Sequence, residues 1–466
     1  MNFDVEVKNL GKLESGTLRI RPITVVTGPN GTGKSFFTKT LYSLLNVLNK
    51  NLYLSNIDIS CKKLLANLDR FMPGMSYAGW NDHYEITKAT KSIKDIHDNL
   101  VNSLDWNIYD YINLAESKKD EVNQTKNDIK NYISTLKSKE RKYDSVRIIS
   151  KRLIDNFEDL EALLTDGMEK YSDALAKSLD NELKENFQVT SLSDLVSNNK
   201  KKATFSVKNK FDVEFGNDGI GFNIETNFIN EVSSLSRVVF FESPAYWKVR
   251  DALLHSKSFS NMPFLGKESN NRLTGVPKYF YDLDIELRTE YKKDSSIHLE
   301  DICKTITKEL GGEFQFNGDS LVFNDLKTNK NFSKNLISFG MTNLGMIHAL
   351  IKNNVVSPGS FLFIDEPETN LHPNWQVLLM NTLVGLAEKD VHVVIATHSL
   401  EMLKALEVSI KKKKIVYENF FSVNYFDLDH STLEFDSNDP LEQLDEARSE
   451  LSSAYSALYF DGIKYD

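Results

Sequence analysis

The chain has 466 residues, enough for one large domain or two to three ordinary ones with an ample core. Hydrophobic content of 41%, aromatic content of 11% and a net charge of −10 fit a globular protein and argue against a surface coated for nucleic acid. Two cysteines, Cys61 and Cys303, without a C-x-x-C pair exclude a disulfide scaffold and a zinc hook, and suit a reducing compartment.

The opening MNFDVEV lacks the charged-then-apolar pattern of a secretion signal, and no run approaches the roughly 18 apolar residues of a membrane span. A cytoplasmic protein without a membrane partner is expected. Residues 3–9 and 18–26 read as strands, and a glycine-rich turn then feeds a helix from Ser35 to about Asn49, which makes one α/β unit. Composition shifts after Gly79: from Trp80 to Asp166 there is no glycine and no proline. Tyr143, Val146, Leu153, Phe157, Leu160 and Leu164 keep three-four spacing around Ser150. This reads either as an antiparallel coiled-coil arm turning near KKDEVNQTKND or as a compact helical subdomain.

From about residue 203 the pattern becomes β. ATFSVKNKFDVEFG and GIGFNIET form a hairpin around Asn217-Asp218-Gly219, and RVVFFESP is a buried strand ended by Pro244. EFQFNGDSLVFND turns at Asn317-Gly318, while FLFID and VHVVIAT are short apolar runs suited to a parallel sheet covered on both faces. Lys411–Lys414 reads as a solvated edge before a strand at Ile415, and a polar helix starts at Pro440. The expected division is 1–79 and 191–425 for the two parts of a head, 80–190 for the helical insertion and 426–466 for a tail.

Three motifs carry chemistry. Gly28-Pro-Asn30-Gly31-Thr32-Gly33-Lys34-Ser35, followed by Phe36, fits G-x-x-x-x-G-K-[ST] between a strand and a helix. Glycines let backbone N–H groups curl around phosphate oxygens, Lys34 neutralises them, and Ser35 can ligate Mg²⁺ at the helix N-terminus. FLFIDEPETNLHP sets Asp365 and Glu366 at a strand's carboxyl edge, where one acid can hold a metal shell and the other polarise water. VVIATHS sets His398 at the end of the next strand. Ser338-Phe339-Gly340 heads an apolar helix as a cap.

In chain order, with Ser338-x-Gly340 between the glycine loop and the strand ending in Asp365-Glu366-Pro, and Thr397-His398-Ser last, the motifs resemble the ABC-fold ATPases of the OLD, RecF and SMC branch. Within it the chain is most similar to stand-alone ATPases of bacterial anti-phage systems such as Septu, PARIS and the retron-associated ATPases. The resemblance implies an α/β P-loop ATPase head, with a mixed sheet, an antiparallel β lobe and a helical or coiled-coil insertion. It implies ATP with Mg²⁺ as cofactors: Asn30 to Phe36 hold phosphate, Ser35 and Asp365 hold the metal, Glu366 is the general base and His398 senses the γ-phosphate. Ser338 and Gly340 take the signature position, by which one head caps ATP held by another, so a homo-oligomer built on head dimers is implied. Three features depart from the pattern: Phe339 replaces a glycine, no glutamine precedes Gln124, and Asn370 and Asn374 stand where an aspartate is common.

A second activity is not expected. Asp427-Leu-Asp429 reads as turn residues, Asp282-Leu-Asp284 is discounted equally as a nuclease pair, and Arg250-x₄-His255 reads as a chance match to a ribonuclease pattern. The leading function is therefore an ATPase switch in an anti-phage complex that controls a separately encoded effector, a nuclease, in response to a nucleic acid or phage-derived trigger. The alternative is a RecF- or SMC-like ATPase of DNA repair or chromosome maintenance.

Overall fold

The computed structural model describes residues 1–71, 80–101, 107–138, 140–242, 245–254, 273–288, 299–317 and 320–463. Pro244, Gly318, Gly79 and His255 of the sequence reading lie outside these. The chain forms two compact units, Met1–Asn49 with Leu179–Asp466, and Lys50–Ser178.

The first unit, the head, is built on a sheet of five parallel strands. β1 (Phe3–Leu10), β2 (Leu13–Ile20), β3 (Ile23–Thr27), β4 (Lys202–Val207), β5 (Phe211–Gly216), β6 (Gly219–Ile224), β7 (Val238–Phe241), β8 (Gly312–Asn317), β9 (Ser320–Asp325), β10 (Lys330–Ser333), β11 (Phe361–Asp365), β12 (His392–Ala396) and β13 (Phe421–Tyr425) divide among three sheets. The core sheet has the order β13-β3-β12-β11-β7, with every neighbouring pair parallel. Each of its strands is buried along its whole length, because helices cover both faces and leave no position for a polar side. Parallel strands put all carboxyl ends on one edge, so the loop after β3, the acids after β11 and His398 after β12 emerge together.

The other two sheets, β2-β1-β4-β5-β6 and β10-β9-β8, are antiparallel throughout. Two strand boundaries differ from the sequence reading. The run 18–26 is broken at Arg21-Pro22 into β2 and β3, since proline cannot donate to a ladder. The stretch 203–216 holds a second hairpin, β4 to β5, turned at Asn209 with φ of 58°. The segment at Ile415 is not a strand: Lys411–Lys413 end the helix Leu400–Lys413, where their charge complements the dipole, and Lys414 caps it at φ of 52°.

The second unit consists of helices Leu52–Phe71, Trp80–Val101, Ile108–Ser117, Lys119–Lys137, Glu140–Thr165 and the start of Gly167–Phe187. Four of them pack side by side as a bundle, so of the two readings of this region the compact subdomain fits and a single antiparallel arm does not. The seam Val146, Leu153, Phe157, Leu160, Leu164 is fully buried, and Ser150 within it satisfies its hydroxyl on Val146 O at 2.9 Å. The stretch KKDEVNQTKND is not a turn but mostly helix. Its polar residues hide an amphipathic pattern in which Val122, Thr125, Lys126 and Ile129 are buried.

The helix Pro440–Ile463 is tied to helix Leu400–Lys413 through Glu407, which accepts hydrogen bonds from Lys404, Lys411 and Arg448. Burial pushes the Glu407 carboxyl up, but these three cations outweigh it and hold it at about 2. A depressed pKa stabilises above the unfolded value near 4.3 and stops doing so as pH falls through the folded one. Glu407→Gln is therefore expected to lose about 1–2 kcal/mol of head stability at pH 7. In urea titrations that difference shrinks between about pH 4.5 and 2; a gap unchanged at pH 3 would count against the ion cluster.

Candidate nucleotide site

The loop from Gly28 to Gly33 joins β3 to the helix Lys34–Asn49. Gly28, Gly31 and Gly33 have φ of 131°, 78° and 108°, conformations open to glycine and of the kind that let a loop curl its backbone around an anion. Gly28 has no alternative: a Cβ there would sit 2.1 Å from the carbonyl oxygen of Phe426. Asn30 and Gly31 are exposed at the loop's crown, while Thr32 is buried and ties its hydroxyl to Pro29 O at 2.9 Å. Lys34 is buried and donates to Gly28 O and Pro29 O, both at 2.8 Å. Burial lowers its pKa, and the charges of Glu366, Asp365 and Glu368 oppose that. Ser35 is half-buried at the helix start, and the ring of Phe36 packs against Phe187 at 5.2 Å, leaving its backbone to the loop.

Across the same edge, Asp365 ends β11 at 4% exposure. Burial, then the charge of Glu242, push its carboxyl up to about 6, against a hydrogen bond from Ser35. Its Oδ1 has no partner among the described residues. Glu366 is exposed, with φ of 48° and its N–H bonded to Ala396 O at 2.9 Å. A glutamate in this region is strained, and the strain is held by the neighbouring strand.

His398 is anchored by a residue that the motif reading left without a role. Glu368, buried, accepts the His398 backbone N–H at 2.8 Å and lies 3.2 Å from its Nδ1, leaving the ring 42% exposed. Its Oε2 is unpartnered among the described residues. The third acid of Asp365-Glu-Pro-Glu368 was the available signal. Ser338 caps the helix Phe339–Lys352, its Oγ accepting from Met341 N at 3.2 Å. Gly340 packs so closely on the turn after Glu368 that a Cβ would meet Asn370 O at 2.7 Å. Asn343, one turn on, donates to Pro367 O at 2.7 Å and fastens the helix to the acids. Lys12, in the turn between β1 and β2, brings its Nζ within 3.5 Å of where a Gly31 Cβ would stand; nothing in its local sequence marks it.

The other candidates are structural. Arg250 is 1% exposed and paired with Asp284 and Asp251, and Asp284 also accepts from Arg288. Asp427 and Asp429 serve a turn, Asp429 accepting from Ser431 N at 2.9 Å.

The residues fit a magnesium-bound nucleoside triphosphate. Hard oxygen donors, the Ser35 hydroxyl and the unpartnered Asp365 Oδ1, suit Mg²⁺, which keeps most of its shell for water and phosphate. No cluster of three or more His, Cys, Asp or Glu side chains able to hold a metal occurs among the described residues.

The family model of the AAA ATPase domain (AAA_15) matches residues 2–403, and the chain belongs to this family, an ATP-using class of P-loop proteins. A search of curated proteins returned no match. Among solved structures the chain is similar to the SMC head domain from Thermotoga maritima, at 9% identity and a TM-score of 0.35, covering 91% of this chain and 94% of that one. It is also similar to an SMC head bound to the C-winged helix domain of ScpA, at 10% identity and a TM-score of 0.39 over 92% and 95% of the two chains. The SMC head domain with a coiled coil and joint from Pyrococcus yayanosii gives 11% identity and a TM-score of 0.33 over 96% and 99%. Likenesses this distant say nothing about function.

A carboxyl held near 6 by burial costs stability when charged: the cost is present above about pH 6 and gone below the unfolded value near 4. Asp365→Asn is expected to stabilise the nucleotide- and metal-free protein by about 1–3 kcal/mol at pH 8, with the gain fading toward pH 4. Thermal melts across that range check it, and a destabilised variant at pH 8 contradicts the reading.

Proposed function

We propose that this chain is the ATP-driven switch of a bacterial anti-phage complex in the cytoplasm. Two heads pair around ATP, hydrolysis parts them, and pairing holds or releases a separately encoded effector, a nuclease, after a nucleic acid or phage-derived trigger. The observation that carries the reading is the placement of the Ser338 cap. It leaves the positive end of helix Phe339–Lys352 beside an exposed Phe339, and Gly340 fastens that end to the turn after the acids. A helix end so presented suits a triphosphate held by a second copy.

In this reading Asn30 to Phe36 cradle the phosphates by backbone amides, Lys34 leaves its carbonyl partners to neutralise them, and Ser35 and Asp365 hold Mg²⁺. The metal, when bound, supplies charge neutralisation at the phosphates. Glu366 takes the proton of the attacking water, its strained backbone fixing the carboxylate at the strand edge. His398, aimed by Glu368, donates to the γ-phosphate, and Ser338 and Gly340 act on the partner's nucleotide. The segment 80–190 serves assembly or effector contact, and the tail 426–466 closes the head.

Lys34→Ala is expected to abolish nucleotide binding, while Glu366→Gln binds ATP and turns it over at least about 100-fold more slowly. Wild-type turnover in Glu366→Gln would remove the base assignment. Ser338→Arg should bind ATP as a monomer yet give no ATP-dependent dimer in light scattering. Co-purification of the ATP-bound Glu366→Gln protein with its genomic neighbours tests the switch. An effector bound in one nucleotide state supports it, whereas DNA-stimulated turnover with no effector moves the function to DNA maintenance.

A further inference from the structure

The basic run Lys411–Lys414 has no role in the nucleotide site, and part of it lines a groove. The helix Pro373–Ala387 starts just after the turn that follows the acids, and the helix Leu400–Lys413 starts just after His398. Two hydrogen bonds fasten them side by side: Ser399 Oγ donates to Gln376 Oε1 at 2.6 Å, and Ser409 Oγ to Asn381 Oδ1 at 2.9 Å. Between the helices runs an open groove of about 630 Å³. Ala405 lines it and is buried, whereas Val377 on one helix and Val408 on the other line it at 40% and 50% exposure. A small buried residue beside two exposed valines leaves room for a larger apolar side chain from outside, and covering the valines is favourable.

The charge at the mouth is opposite in sign to that of the chain. Leu400–Lys413 with its cap Lys414 carries five lysines and two glutamates, whereas the whole chain has a net charge of −10. Lys404, Lys412 and Lys413 line the groove itself, together with Glu401. Lys404 pairs with Glu407 at 2.8 Å and Lys413 with Glu388, while Lys412 has no ion-pair partner among the described residues. Apolar walls rimmed by cations complement an amphipathic helix whose apolar stripe is flanked by carboxylates. A phosphate backbone would meet the lysines but leave the valines in water, so the groove suits protein better than nucleic acid.

We propose that this groove is the docking site of a partner protein, which lays an acidic amphipathic helix between Pro373–Ala387 and Leu400–Lys413. This rests on the switch reading: the partner is the separately encoded effector, seated on the two helices that begin at the acidic turn and at His398. Its signature is double, because the valines and the lysines contribute separately and each can be removed without the other.

Fluorescence anisotropy with the full chain tests it, using a labelled helical peptide of about 15 residues with leucines at i, i+3, i+4 and i+7 flanked by glutamates. The peptide is expected to bind with Kd of about 10 µM or below, and at least about tenfold more tightly than its counterpart with lysines for glutamates. Val408→Lys removes an apolar wall while adding a cation, and should weaken binding at least about fivefold. Lys412→Glu should weaken it about threefold to tenfold, with ATP binding unchanged in both variants. No binding, equal binding of the acidic and basic peptides, or wild-type affinity in either variant overturns the proposal. So does displacement of the peptide by an equimolar oligonucleotide, which would make the groove a nucleic-acid site. A light-scattering mass that falls in Val408→Lys also overturns it, by placing a second copy there. Should Val408→Lys not fold, Lys412→Glu decides alone. Peptide binding with both dependences, but equal with and without ATP in Glu366→Gln, supports the docking site and counts against the switch reading beneath it.

Discussion

Much of the head is organised around the burial of negative charge at one edge of a parallel sheet. Asp365 ends a strand buried on both faces, has an oxygen without a partner among the described residues, and its pKa is pushed up to about 6, chiefly by burial. Such a group is unfavourable to the fold by itself and becomes favourable when a cation arrives. The neighbouring features follow from the same constraint. Lys34 folds back on its own loop carbonyls, Glu366 is displaced into a strained, exposed conformation, and Glu368 turns the other way to hold His398.

Rigidity in this region comes from backbone close approach as much as from side chains. The carbonyl of Phe426 leaves Gly28 no room for a side chain, and that of Asn370 does the same at Gly340. The first contact joins the glycine loop to the residue that follows β13; the second joins the capped helix to the turn after the acids. With the Asn343 bond to Pro367, they bind loop, acids and capped helix to common supports. Movement of one is then felt by the others.

The legible parts were those with a short-range physical cause. The glycine loop, the strand-end acids and the buried strands β3, β11 and β12 were all visible, because phosphate binding and double burial impose residue types at fixed spacing. The helix cap at Ser338 was visible for the same reason. Errors arose where local signals were ambiguous. A polar run hid an amphipathic helix at Lys119–Lys137, a proline divided one apparent strand into β2 and β3, and a basic run before Ile415 proved to be a helix end. Arg250 fitted a catalytic pattern yet is buried among Asp251 and Asp284.

Sequence by itself determined the α/β P-loop class, the phosphate loop and the acidic strand end, since each depends on residues adjacent in the chain. Tertiary structure alone decided which distant residues join them. Lys12 and Glu368, the anchor of His398, take their places through strand order and helix packing. No local pattern encodes the neighbour that a parallel sheet sets beside β11, because that depends on crossovers that close only when the whole core is buried.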